Sequence, residues 1–154
     1  MDIPRESVLD RLIDEDPDAS ADPPPTRAGV LRRIQAAVKR DLENLLNTRY
    51  RCVAWPPRCE ELDESLTNYG IPDFTAAGLD AAHNSDVLLE AIAAAIRLFE
   101  KRLRDVRVDR VTDGYSIDRT FRFRIRGTLM LDPDEHPVQF DSSLESVTGQ
   151  FEVR

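Results

Sequence analysis

The sequence predicts an α+β fold: two long helices packed on an antiparallel β-meander of about four strands, with a tethered N-terminal helix. Three observations carry this. Apolar residues recur every three to four positions over residues 26–48 and again over 85–103, the spacing that puts them on one helical stripe. Beyond Val106 the period changes to two, the repeat of a half-buried strand. Four prolines fall within residues 17–25, a composition that neither helix nor strand tolerates.

Residues 1–16 hold a short amphipathic stretch. Val8, Leu9, Leu12 and Ile13 share one face, and Asp10, Arg11, Asp14 and Glu15 take the rest. A helix this short does not persist alone, so it must dock on the domain or on a partner. Residues 17–25 form an extended, solvated tether. The domain proper spans 26–154. Thr26 is placed to cap a helix whose stripe is Val30, Ile34, Val38, Leu42 and Leu45, widened by Leu31 and Leu46, ending near Asn47-Thr48.

Residues 49–83 read as a long irregular connection, with Pro56-Pro57 and Asn68-Tyr69-Gly70-Ile71-Pro72; such stretches usually serve a function. A second helix is expected from about Ser85 to Leu103, with Leu88, Ile92, Ile96, Phe99 and Leu103 facing the core. Ala91, Ala94, Ala95 and Leu98 lie on another face, which suggests a second packed surface and a sandwiched helix. The strands follow: Val106 and Val108 continuing to Val111, then Phe121, Phe123, Ile125, Gly127, Leu129 and Leu131 in strict alternation. A turn at Asp132-Pro133-Asp134-Glu135 leads to Val138, Phe140 and Leu144, and Phe151 and Val153 follow Gly149. Short turns between consecutive strands imply antiparallel pairing, with helices on one face. The last strand would leave an open edge, with Gln150 and Glu152 as candidate sites for an added partner strand.

The chemistry of an enzyme is hard to assemble from these residues. A net charge of −8 disfavours nucleic acid. The longest apolar run, Ala91 to Ile96, is far short of the roughly 20 residues that span a bilayer. Met1-Asp2-Ile3-Pro4 does not open a secretory signal, so the expected location is the cytoplasm. Cys52 and Cys59 are then free thiols, and with His83 and His136 they lack zinc-binding spacing. His83 precedes a helix and His136 sits in the expected turn, both as exposed loop residues. Glu100, beside Phe99, is the one acid at the edge of an apolar stripe. It could pair with Arg104 one turn on or with a partner's arginine, and no second acid accompanies it across a cleft. Arg122, Arg124 and Arg126 point away from the core, as a solvated face or as a basic stripe for an acidic partner. No cofactor, metal or catalytic residue is expected.

Four stretches together resemble the TssE family of type VI secretion, itself similar to a phage-tail baseplate wedge protein historically labelled lysozyme-like. They are Ser7-Val8-Leu9-Asp10-Arg11-Leu12, Leu45-Leu46-Asn47-Thr48-Arg49, Ser65 through Phe74, and Phe99-Glu100-Lys101-Arg102-Leu103. The family's Glu-Pro-Arg signature has Lys101 in place of proline, which lets the helix run through to Leu103. The resemblance implies a structural baseplate subunit that joins a wedge with TssF and TssG, neighbours TssK, and seeds the sheath of TssB and TssC. It also implies partner contacts through Glu100 and Arg102. The tethered helix adds Val8, Leu9 and Leu12 as candidates, and the second helical face adds Leu98. A small regulatory binding protein of the same fold is the alternative, and a peptidoglycan hydrolase a more distant one.

Overall fold

The computed structural model describes residues 6–13, 18, 24, 26–50, 56–73, 82–111, 120–131, 134–145 and 148–154. Most of the expected tether at 17–25, together with residues 1–5, lies outside these, as does Cys52. Helices α1 (Val8–Leu12), α2 (Arg27–Asn47) and α3 (Ala82–Phe99) precede strands β1 (Leu103–Arg110), β2 (Thr120–Leu131), β3 (Asp134–Glu145) and β4 (Phe151–Val153). The strands form one sheet in the order β1-β2-β3-β4, with every neighbouring pair antiparallel. The α+β meander is therefore as the alternation implied.

One face of the sheet is the core face. Phe121, Phe123, Ile125, Leu129 and Leu131 of β2 are buried there, with Phe140 and Leu144 of β3 and Phe151 and Val153 of β4. Helix α2 covers it with Val30, Ile34, Val38, Leu42, Leu45 and Leu46, and α3 with Leu88, Ile92 and Ile96. Thr26 caps α2 as expected, its hydroxyl accepting from the Gly29 amide at 3.1 Å. No helix among the described residues is long and apolar enough to cross a membrane.

The opposite face is polar. Arg124 donates to Asp141, its direct cross-strand neighbour, at 2.6 Å, and Arg126 pairs with Asp109 on β1. The arginine row is thus part of a ladder of opposite charges, each exposed pair contributing a few tenths to about 1 kcal/mol. It is a solvated face rather than a uniformly basic stripe.

Four expectations need correction. Helix α3 stops at Phe99, not Leu103, although Lys101 would permit it to continue. The Glu100 carbonyl accepts from the Leu103 amide in a tight turn, and the Arg102 carbonyl accepts from Met130 at 2.8 Å, so the chain is drawn into the sheet. Leu103 belongs to β1, opposite Leu129. Leu103 and Val106 are both buried although three residues apart, because a bulge at Asp105 (φ 52°) inserts one extra residue. Gly127 lies against this irregularity: a Cβ there would sit 3.2 Å from the Arg104 carbonyl oxygen. That is the close backbone approach for which an isolated strand glycine is kept.

The second correction concerns residues 49–83, whose described part is not structureless. Two 3-10 segments, Pro57–Glu64 and Leu66–Asn68, lead to a parallel bridge between Arg49 and Ile71, with Ile71 buried in the core. Third, His136 lies in β3 opposite Leu129, since the hairpin already pairs Leu131 with Asp134. Fourth, the second face of α3 is packed only in part among the described residues: Ala95 is buried, Ala91 and Leu98 are half-buried, and Ala94 is exposed.

Candidate partner-binding site

The α3–β1 turn is the centre of a charged node. Glu100, only 6% exposed, receives Arg102 as a fork: Nε to Oε1 at 2.7 Å and Nη2 to Oε2 at 2.5 Å. Its Oε1 also accepts the Arg102 main-chain N–H at 3.1 Å, so one carboxylate fixes both the turn and the guanidinium. The sequence suggested Arg104 as the intramolecular partner of Glu100. Arg104 lies in β1 instead, and the pair is Glu100–Arg102.

Arg102 reaches further. Its Nη2 meets Asp41 of α2 at 2.5 Å, and its Nη1 lies 3.5 Å from Asp10 of α1. Arg40 donates to the same Asp10 at 2.7 Å and to Asp41 at 3.0 Å. Tyr69 approaches from the segment that follows the 3-10 turns, its ring edge-on to Phe99 at 5.2 Å. Burial, then the Asp41 and Glu100 carboxylates, push the Tyr69 hydroxyl above its ordinary value. Bonds to Glu100, then to Asp41, raise the Arg102 guanidinium against the effect of burial, so it stays charged at any ordinary pH.

The four segments singled out in the sequence therefore meet. Asp10 of the first touches Arg102 of the fourth. Tyr69 of the third packs on Phe99 of the fourth. The second joins the third where the Ile71 N–H donates to the Thr48 carbonyl at 2.9 Å.

The second segment also closes the sheet. The Asn47 side chain bonds the main chain of Phe151 twice: its amide donates to the Phe151 carbonyl at 2.9 Å, and its oxygen accepts the Phe151 N–H at 2.9 Å. Arg49 donates to the Gly149 carbonyl at 3.0 Å and lies over the Phe151 ring. Asn47→Ala is expected to lower stability by about 1–2 kcal/mol by leaving both main-chain groups unpaired, read by urea denaturation with an unchanged m-value. An unchanged midpoint would show that water replaces the amide without loss.

This closure alters the role of the β4 edge. Asp141 and Arg154 exchange both main-chain bonds, and the Glu145 N–H donates to the Gln150 carbonyl. By the alternation of an antiparallel ladder, Gln150 and Glu152 turn their main-chain groups toward β3, and Phe151 and Val153 turn theirs outward. The expectation of an outward N–H at Gln150 or Glu152 is thus corrected, and the outward groups of Phe151 are already taken by Asn47. The side chains of Gln150 and Glu152 instead line an open groove of about 610 Å³ on the polar face, beside Arg122 and Arg124. At the other edge, the Val111 N–H bonds to Arg122, and the same alternation turns Val108 and Arg110 outward.

The remaining expected contacts are distributed as follows. Val8, Leu9 and Leu12 are 74%, 63% and 76% exposed, while the polar face of α1 meets the domain. Leu98 is half-buried on α3. Asp10, Arg40, Asp41 and Tyr69 had not been singled out as site residues. Ser7, whose hydroxyl accepts the Asp10 N–H as helix cap and donates to its carboxylate, was the one local signal for Asp10. Among the described residues no cluster of His, Cys, Asp or Glu is arranged to hold a metal ion.

Residues 32–134 match the model of a family described as baseplate wedge protein gp25. That span contains the second, third and fourth segments. A solved structure titled "The baseplate complex from the type VI secretion system" contains a chain similar in fold, with a TM-score of 0.50 and 15% identity over 73% of this chain and 93% of that one. Comparison with curated proteins gives no match.

Proposed function

The chain belongs to the baseplate wedge protein gp25 family, and from that premise we propose that it is a non-catalytic structural subunit of a type VI secretion baseplate. In this reading it works in the cytoplasm, joins TssF and TssG in the wedge beside TssK, and gives the TssB/TssC sheath its first attachment. The observation that carries the reading is the family match across 32–134, a span whose third and fourth segments meet at one node.

The surroundings of that node suit an interface. Val8, Leu9, Leu12 and Ile13 lie within three residues of Asp10, and Leu66 lies three residues before Tyr69. These are five of the six exposed large apolar side chains among the described residues. Exposed apolar side chains near an accessible arginine are residue types that interface cores use. Glu100 is too enclosed to be the main point of contact; it sets Arg102, which remains accessible to a partner. Sheath attachment by strand addition belongs at the outward main chain of Val108 and Arg110, because Asn47 takes both outward groups of Phe151 on the β4 edge.

Reconstitution with TssF, TssG and sheath subunits tests both surfaces. Leu9→Asp with Leu12→Asp should reduce retention of the wedge proteins at least about tenfold without altering the fold, since both side chains are exposed. Val108→Pro should spare the wedge and stop sheath growth, while Val108→Ala supports both. Full wedge retention by the double aspartate variant would remove α1 from the interface. Sheath growth on the proline variant would rule out the β1 edge.

A further inference from the structure

The polar face of α1 is the face turned to the domain. Among the described residues, the segment from Glu6 through α1 is joined to the domain by ion pairs: Glu6 with Arg33 at 2.5 Å, and Asp10 with Arg40 and Arg102. No residue of α1 is buried, yet the Asp10 side chain is only 9% exposed. Its two carboxylate oxygens are divided between two guanidiniums, Oδ1 to Arg40 at 2.7 Å and Oδ2 to Arg102 at 3.5 Å.

We propose that Arg40 and Arg102 form a carboxylate-binding site, which Asp10 of the chain's own N-terminal helix fills as a releasable latch. The site is preformed. Glu100 holds Arg102 from one side, and Asp41 braces both guanidiniums, so neither waits on Asp10 for its position. Its ligand class is a side-chain carboxylate presented from a short capped helix. With no apolar residue of α1 fully buried, the hold on it is mainly electrostatic and opposed by the entropy of ordering the segment. A tethered ligand of this kind is retained through high effective concentration, and salt or a competing carboxylate releases it.

Acid is a poor trigger at ordinary pH. Burial pushes the Asp10 carboxyl up, but the Ser7 hydroxyl, Arg40 and Arg102 outweigh it and leave the group below its ordinary 3.8. Asp41 faces both guanidiniums across the node, and Glu100 faces that of Arg102. A depressed carboxylate keeps its contribution above the ordinary value and loses it only as pH falls through the lowered one. The latch is therefore fully held near neutrality, and displacement is the release route. This inference does not rest on the baseplate reading.

Nitrogen-15 relaxation on the full chain tests it. At low salt, amides 7–12 should show order parameters near those of the domain, about 0.8. Asp10→Asn, Arg40→Ala, or about 1 M NaCl in the wild type, where the screening length falls to roughly 3 Å, should each lower them below about 0.6. Resonances of β2 should stay in place throughout. Leu9→Ser should leave α1 ordered. The latch is refuted by order that survives both Asp10→Asn and high salt, by α1 already disordered in the wild type at low salt, or by release in Leu9→Ser.

Discussion

Glu100→Ala is expected to lower the thermal midpoint by roughly 6–12 °C. The substitution removes three of the bonds that hold Arg102 and its turn, and leaves a guanidinium that is 27% exposed facing Asp41 and, more distantly, Asp10. Breaking a buried pair by deleting one member costs about 3–5 kcal/mol, and the surviving Asp41 bond argues for the lower end. About 3 kcal/mol in a chain of this size corresponds to that shift. Glu100→Gln keeps a carbonyl acceptor and should lose about half as much. A midpoint within about 2 °C of the wild type, measured by calorimetry, would show that Asp41 and Asp10 suffice for Arg102. Because the pair supports the fold itself, failed assembly of Glu100→Ala reports on stability before it reports on recognition.

Gly70→Ala should be comparably damaging, by about 3 kcal/mol in urea denaturation. Gly70 has φ +120°, a region that L side chains rarely enter, and an added Cβ would lie 2.8 Å from the Thr48 carbonyl carbon. That carbonyl accepts the Ile71 N–H, so relieving the clash pulls apart the bridge that buries Ile71 and positions Tyr69. Strain at such a position and the lost bridge add in the same direction. A loss under about 1 kcal/mol would mean that the 68–73 segment shifts as a body without disturbing α2.

Much of the fold was legible because periodicity reports which face is apolar. The stripe from Val30 to Leu46 and the alternation from Phe121 to Leu131 correspond to the buried faces of α2 and β2. Periodicity does not report which face is turned inward. For α1 the apolar face is outside and Asp10 is inside, because two arginines from distant parts of the chain converge on it. Leu103 was assigned to the helix because it continues the 3.6 repeat from Phe99, and the Asp105 bulge put it out of phase with Val106 and Val108. The node joins residues 10, 40, 41, 69, 100 and 102. Glu100 and Arg102 were legible through a resemblance; Asp10 and Tyr69 lay in the resembling stretches and Arg40 and Asp41 side by side in α2, with nothing local to tie any of them to Arg102.

The Asn47–Phe151 closure also bears on the order in which the molecule assembles itself. The β2–β3 hairpin begins from Leu131 and Asp134, three positions apart, and zips outward through neighbours. The Asn47 bond joins residues 104 positions apart. Loop-closure entropy rises with separation, so the local hairpin gains its contacts early, while long-range closure waits until most of the chain is ordered. Strand β4, three residues long and hydrogen-bonded to α2 through the Asn47 side chain alone, is then the last piece in place and the first to leave. In kinetic terms, Asn47→Ala should speed unfolding and leave the folding rate nearly untouched. The molecule would thus open at its C-terminal strand while the hairpin beneath it remains intact.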